Sequence, residues 1–398
     1  MNLSALGFRD FRIYILGNLF ALNGLWMQRV TISWIAWDLT SSASFVGLIA
    51  FVNFAPTMVT GPLFGVLIDR IRVKRAALFT QSGLCVLALA LYISFSLDLL
   101  GPTVLVGLSG ISGVVASAHN PVRMSLAPRL VDRDAVASVV TLVAINFNTA
   151  RLTGPALGGW TIATWGIGPS LLIQALCYLP FILAISFLRP RERRSMPGDV
   201  VESFMQALAS GIRYTFRNRM IRDAILITGV FAFIIRGTLE MLPVLADGVF
   251  DKGATGLGLL TSSAGLGALV AGLTKALVPS QFNGQLPRPA LVCALVGTGL
   301  VPVVGNSGSW QLSLFLIAAL GFTASFATIS LQTAIQVDLD DNLRGRVMSL
   351  WIMVGIGAAA AGAIMLGLFA DQIGFASTLS VIGGIGVLFL SMIILRIW

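Results

Sequence analysis

The sequence predicts an all-α membrane protein: twelve transmembrane helices in two pseudo-symmetric six-helix bundles, with both termini cytoplasmic. Three observations predict it. Only 11% of the 398 residues are charged and 56% are hydrophobic, with a mean hydropathy of +0.90; a soluble domain carries roughly 25% charged residues. Twelve apolar segments of about 20 residues, the length a helix needs to cross hydrocarbon, nearly exhaust the chain. The two halves also repeat weakly. Gly258 lies 211 residues after Gly47 in a similar apolar setting, and the same offset pairs Arg29 with Glu240 and Gly61 with Gly272. A site at the interface of two such repeats is the arrangement expected of secondary transporters.

The elements follow in order. Arg9 and Arg12 precede a long apolar run without a small-residue cleavage site, so it reads as a first span and not a signal peptide. Span 1 is 12–37, span 2 44–68, span 3 76–97 and span 4 102–118. A charged loop holds Arg123, Arg129, Asp132, Arg133 and Asp134. Span 5 is 137–165 and span 6 167–188, which closes an N-terminal bundle of residues 1–188. A polar linker, 189–222, contains apolar positions Val200, Val201, Phe204, Leu208, Ile212 and Phe216. Their spacing of three or four predicts an amphipathic helix, capped by Asp199, with Arg213, Arg217 and Arg219 towards lipid headgroups. The C-terminal bundle, 223–398, holds span 7 (223–246), span 8 (255–277), span 9 (289–304) and span 10 (310–337). A second charged loop, 338–346, leads to span 11 (347–370) and span 12 (375–394). Basic residues fall in alternate loops, at 9–12, 70–75, 123–133, 189–222, 288, 344–346 and 396, while the intervening loops hold Lys252 and acids. Lys and Arg are retained on the cytoplasmic side, which places both termini there.

Composition excludes several classes. The net charge of +9 sits in loops between apolar spans, so it reads as topology and not as a nucleic-acid surface. Cys85, Cys177 and Cys293 fall in separate spans without metal-ligand spacing. His119 stands alone as the chain's single histidine. No Walker loop, nucleophile–base set or metal cluster occurs, so the chain is not expected to be an enzyme or to need a cofactor. The expected partners are the lipid bilayer, a small-molecule substrate and protons, with the protein monomeric.

The stretch from Gly61 to Arg75 ends an apolar span in one acid and four bases within seven residues, and the next span starts at once. Gly65, Asp69, Arg70, Lys74 and Arg75 form a pattern that resembles the loop between the second and third helices of the major facilitator superfamily. That resemblance implies a conformational latch, in which Asp69 holds the N-terminus of span 11 beside Arg344 and Arg346; an anion is favoured at a helix N-terminus. Gly154, Pro155, Gly158 and Gly159 are similar to the antiporter signature of the same superfamily. The run from Leu343 to Leu350, with Phe11 and Arg12, resembles the drug:proton antiporter branch that includes macrolide efflux proteins and enterobactin exporters. The chain departs from the pattern in lacking the usual glycine after Asp69, and the counterpart at 280–288 has lost the motif.

Four ionisable residues fall well inside spans: Arg29, Arg151, Arg236 and Glu240. Charges at such depth cost several kcal/mol unless paired or wetted, so they are functional candidates. Arg236 and Glu240 are spaced i, i+4 on one expected helical face, and Arg29 is the pseudo-equivalent position on span 1. Asn146, Asn148 and Thr149 beside Arg151 suggest a polar face on span 5, and Trp26 adjoins Arg29. Desolvation drives a carboxylate towards protonation and a neighbouring guanidinium drives it back. Glu240 is therefore the candidate proton carrier, with Arg236 its modulator. The alternatives are a structural ion pair and direct substrate binding. Three bases against one acid favour an anionic cargo over a cationic one. The expected function is proton-coupled, alternating-access export of a small organic compound, drug or siderophore-like, across the inner membrane. Proton-independent or inward transport of an organic anion, and a non-transporting sensor on the same fold, are the alternatives.

Overall fold

Inside hydrocarbon a backbone must satisfy its own hydrogen bonds, which leaves helices or a closed barrel. The computed structural model describes residues 4–68, 71–191, 204–277, 284–339 and 341–397, and these are helical with no strand among them. The first half holds α1 (Arg9–Thr40), α2 (Ala43–Ile68), α3 (Val73–Ser96), α4 (Pro102–Leu126), α5 (Val136–Trp165), α6 (Ile167–Leu176) and α7 (Leu179–Phe187). A linker helix α8 (Phe204–Arg217) leads into α9 (Arg219–Phe231) and α10 (Gly237–Glu240). The rest is α11 (Gly253–Leu277), α12 (Arg288–Gly305), α13 (Trp310–Asp338), α14 (Asp341–Ile373) and α15 (Phe375–Ile397). Among the described residues nine helices are long and apolar enough to cross a membrane.

Successive spans run antiparallel, so the turns between them sort to two ends. One end, here the terminal end, gathers Asp10 against Arg189, Lys74 against Ser186 and Leu188, and Asn218 against Asp338. The far end gathers the turns at 41–42, 250–252 and 374. The first half has its own apolar core, with Phe11, Tyr14, Leu126, Tyr178 and Phe181 essentially inaccessible. Gly17 lets α1 press on Ala184 and Phe181 of α7, and Gly24 lets it press on the Gln174 carbonyl of α6. A second core centres on Ile221, Phe231, Ile235, Leu320 and Leu331, but it also takes in Val30, Ile35, Val46 and Leu105. The two groups of helices are therefore packed into one another along part of their length.

Four sequence expectations are corrected. Span 4 does not stop at 118: α4 runs through Pro121 to Leu126 and turns Arg123 inward, where it is 7% exposed, so Arg123 is not a loop residue. Span 6 is two helices, because Pro180 has no N–H to continue the ladder and α7 restarts at Leu179. Span 7 is not one regular helix: a π-helical turn (Ala232–Arg236) precedes α10, the chain then turns at Met241, and a second π-helical turn (Val244–Val249) follows Pro243. Arg344 and Arg346 lie in the opening turns of α14, not in a loop before it. The expected cap and apolar positions at 199–201 lie outside the described residues.

Candidate functional site

At mid-depth the aromatic residues of the first half hold two guanidinium groups. Arg29 lies 5.0 Å from the Trp26 ring centre and 4.7 Å from that of Phe54; Arg151 lies 5.8 Å from Trp26 on its other flank. Such stacking stabilises a cation by about 0.5–2 kcal/mol, more as water is removed. It leaves the charge unneutralised. Glu240 and Arg236 approach from the second half, and the four groups are near enough to act on one another electrostatically. Yet among the described residues Glu240 forms neither an ion pair nor a side-chain hydrogen bond, and Arg236 does not close onto it. All four remain half-buried although they sit deep in the molecule.

The other predicted residues separate. Asn148 donates to the Ala144 carbonyl of its own helix at 2.9 Å, whereas Asn146 faces α1 and donates to Ile15 at 2.7 Å. Two residues apart on a helix they point in different directions, so span 5 has no single polar face. Gly154 and Gly158 face α1: a Cβ at 154 would meet Trp26, and one at 158 the Met27 backbone. Gly159 faces the opposite way, onto Ala254 and Gly258 of α11. Pro155 removes the N–H that Arg151's carbonyl would accept in a regular helix. That carbonyl instead meets the backbone at Gly265, and the Ser262 hydroxyl donates to the next carbonyl, Leu152, at 2.9 Å. The four-residue signature thus joins α5 to both halves. Replacing Gly159 by valine is expected to wedge α5 from α11, lowering thermal stability by roughly 1–3 kcal/mol; a thermal-unfolding series on purified protein checks it.

Of the residues assigned to a latch, Asp69 and Arg70 lie outside the described residues, and Gly65 lies within α2. Lys74 donates to the carbonyls of Ser186 and Leu188 at 2.7 and 2.8 Å, closing the end of α7. Arg75 is exposed. Arg346 donates to Ser210 of α8 at 3.0 Å, and Gly211 packs on its backbone; Arg344 reaches the Leu339 carbonyl at 3.4 Å.

Two cross-links at the far end escaped sequence reasoning. Asp371, at the end of α14, accepts from the Ser42 hydroxyl and the Ala43 and Ser44 amides at 2.7, 2.8 and 2.9 Å, capping the first turn of α2. Ser41 makes room for this with a left-handed φ of 48°. Nearby, Trp37 donates to Asp247 at 2.8 Å, joining α1 to the π-helical segment. Close glycine crossings support both: Gly47 on Ala363, Gly367 on Ala43, and Gly248 on Trp37. Among the described residues, the hydrogen bonds that join the halves lie at the far end and at mid-depth. The signal available in sequence was symmetry: an acid ending span 11 before a serine-rich start of span 2 mirrors Asp69 ending span 2 before span 11.

This geometry, two interlocked helical groups meeting around a charged interior, is matched by known proteins. Residues 2–398 match the profile of the transmembrane secretion effector family, a branch of the major facilitator superfamily. The chain belongs to that family. This secretion-effector chain is 25% identical over 365 residues to the multidrug efflux pump Tap of Mycolicibacterium fortuitum, covering 88% of this chain and 86% of that one. It is 24% identical over 382 residues to the enterobactin exporter EntS of Shigella boydii, covering 92% and 87%. In fold it resembles the nucleoside transporter NupG, with a TM-score of 0.75 at 12% identity, covering 97% and 98%. It also resembles a bacterial homologue of the lysosomal transporter Spinster, solved inward-facing and unoccupied, at 0.72 and 13%, covering 97% and 95%. The family is one of membrane transporters and not of enzymes. The chain is thus a secondary transporter with a bilayer around it and a small molecule as its substrate.

Proposed function

We propose that this protein exports a small organic compound across the bacterial inner membrane by alternating access, in exchange for protons. Twelve spans form two bundles, 1–188 and 223–398, joined by the cytoplasmic linker 189–222, and the monomer has both termini in the cytoplasm. The terminal end carries the basic loops and therefore faces the cytoplasm. The far-end bonds around Asp371 and Asp247 then close the outer side, and the interior opens inward. Glu240 carries the proton; Arg236, Arg29 and Arg151 set how readily it is released. Asp69, with Gly65, Arg70, Lys74, Arg75, Arg344 and Arg346, closes the inner side in the alternate state.

One observation carries this reading. Charges from both halves converge at mid-depth, close enough to act on one another, yet none of the ion pairs among the described residues joins them. A purely structural role for Glu240 would call for a closed ion pair, because an isolated buried charge is costly. Relatives named as an efflux pump and an exporter support the outward direction. The test is proton movement in everted membrane vesicles under an inside-acid gradient, with macrolides, cationic dyes and catecholate siderophores added in turn. Proton release by wild type, absent in Glu240→Gln, is the expected result. Accumulation of a compound without proton movement would favour the second reading, proton-independent transport of an organic anion, which the excess of three bases over one acid supports.

A further inference from the structure

Between the terminal end and mid-depth, α1, α4 and α5 enclose a second polar cluster that the central charges do not include. Asn18 is fully buried with both amide atoms unpartnered. Arg123 is 7% exposed, its Nε and Nη1 make no hydrogen bond, and no acid among the described residues pairs with it. Asn146 is 6% exposed with a free Oδ1. Backbone contacts place the three on adjoining stretches of α1, α4 and α5. The Tyr14 hydroxyl donates to the Arg123 carbonyl at 3.4 Å, and Asn18 follows Tyr14 by one turn on the same face of α1. Asn146 donates to Ile15 of that same stretch at 2.7 Å. His119, one turn before Arg123, is engaged with Thr80 at 3.1 Å.

A buried guanidinium without a counter-charge is costly, and the unpartnered amide atoms of Asn18 and Asn146 add to that cost. The free donors here, the Arg123 guanidinium and the Asn18 amide N–H, suit an ionised oxygen, while the Asn146 Oδ1 is an acceptor for a hydroxyl on the same molecule. The route to the centre is aromatic. The Phe147 ring lies 5.7 Å from the Arg123 guanidinium and edge-on to Trp26 at 5.9 Å, and Trp26 carries Arg29 and Arg151. Two adjoining rings thus bridge Arg123 to the central guanidinium groups.

We propose that Arg123 and Asn18, beside Asn146, form a second binding subsite in which the two donors take a carboxylate or phenolate oxygen of an aromatic cargo, whose ring lies against Phe147. This rests on the exporter reading above and narrows the cargo to aromatic oxyanions. The experiment is equilibrium binding of radiolabelled salicylate, and of the neutral salicylamide, to protein in nanodiscs. Salicylate is expected to bind wild type more tightly than salicylamide does. Arg123→Gln is expected to weaken salicylate at least roughly tenfold, the loss of one charge-assisted hydrogen bond, and to leave salicylamide unchanged. If that variant folds poorly, Asn18→Asp replaces it: a built-in carboxylate beside the guanidinium is expected to raise thermal stability and abolish salicylate binding. Equal salicylate affinity in wild type and Arg123→Gln, salicylamide binding as tight as salicylate, or no salicylate binding to wild type would each overturn the subsite. Proton release in everted vesicles by a neutral or cationic compound, sensitive to Glu240→Gln, would then leave the exporter reading standing alone.

Discussion

Asp371→Ala is expected to unfasten the far end and move the protein towards the state open on that side. One carboxylate caps three donors at the start of α2, two of them backbone amides that a helix's first turn cannot otherwise satisfy. Bonds to a charged group contribute roughly 1.5–3 kcal/mol each when buried. Asp371 is exposed, so each is discounted for screening. A net loss of only about 1.4 kcal/mol changes the equilibrium tenfold. With a cysteine at Thr149, which is exposed, the otherwise unaltered protein is expected to react with membrane-impermeant maleimide from the terminal side. Asp371→Ala is expected to gain reaction from the far side by about tenfold. Asp69→Asn makes the mirror prediction, with the shift in the opposite sense. An unchanged labelling ratio in Asp371→Ala would show that the glycine crossings at Gly47 and Gly367 close this end without the carboxylate.

Glu240→Gln is expected to abolish gradient-driven transport while leaving binding of a cargo largely intact. The amide keeps the shape and much of the hydrogen-bonding capacity but cannot carry a proton. Since Glu240 has no hydrogen bond or ion pair to lose among the described residues, the exchange is expected to leave the fold unharmed and thermal stability little altered. Proteoliposomes with an imposed proton gradient, beside equilibrium exchange of labelled cargo, separate the two effects. Exchange should persist, and uphill accumulation should fall to the level of empty liposomes. Full uphill transport by the glutamine variant would remove Glu240 from the coupling step and return it to a structural role.

Much of this architecture was legible from hydropathy alone, because a bilayer leaves the backbone few options. The buried charges were legible for the same reason: Arg29, Arg151, Arg236 and Glu240 stand out where polar residues are rare. The interruptions were harder to see. Leu-Pro after Tyr178, and Leu-Pro after Met241, are embedded in runs whose hydropathy does not drop, so the windows that find a span pass over the break. Arg123 was misplaced because four charges follow it within eleven residues, and the cluster read as one loop. Only burial separates the first of these from the rest. Asp371 and Asp247 were read as turn acids or passed over. Their significance depends on which helix start faces them, and that is a property of the packing and not of the local sequence.

The π-helical turn at Ala232–Arg236 sets the angle at which the Glu240 carboxylate points. A π-turn holds about one residue more than an α-turn, and one residue corresponds to about 100° of rotation. Counted from α9, Glu240 therefore stands about 100° away from where an unbroken helix would put it. Taking that surplus residue out would turn the carboxylate away from Arg29 and Arg151 without touching any of the three. The heading of the charge is thus written in the length of a backbone loop, and a change of winding in one turn is enough to redirect it.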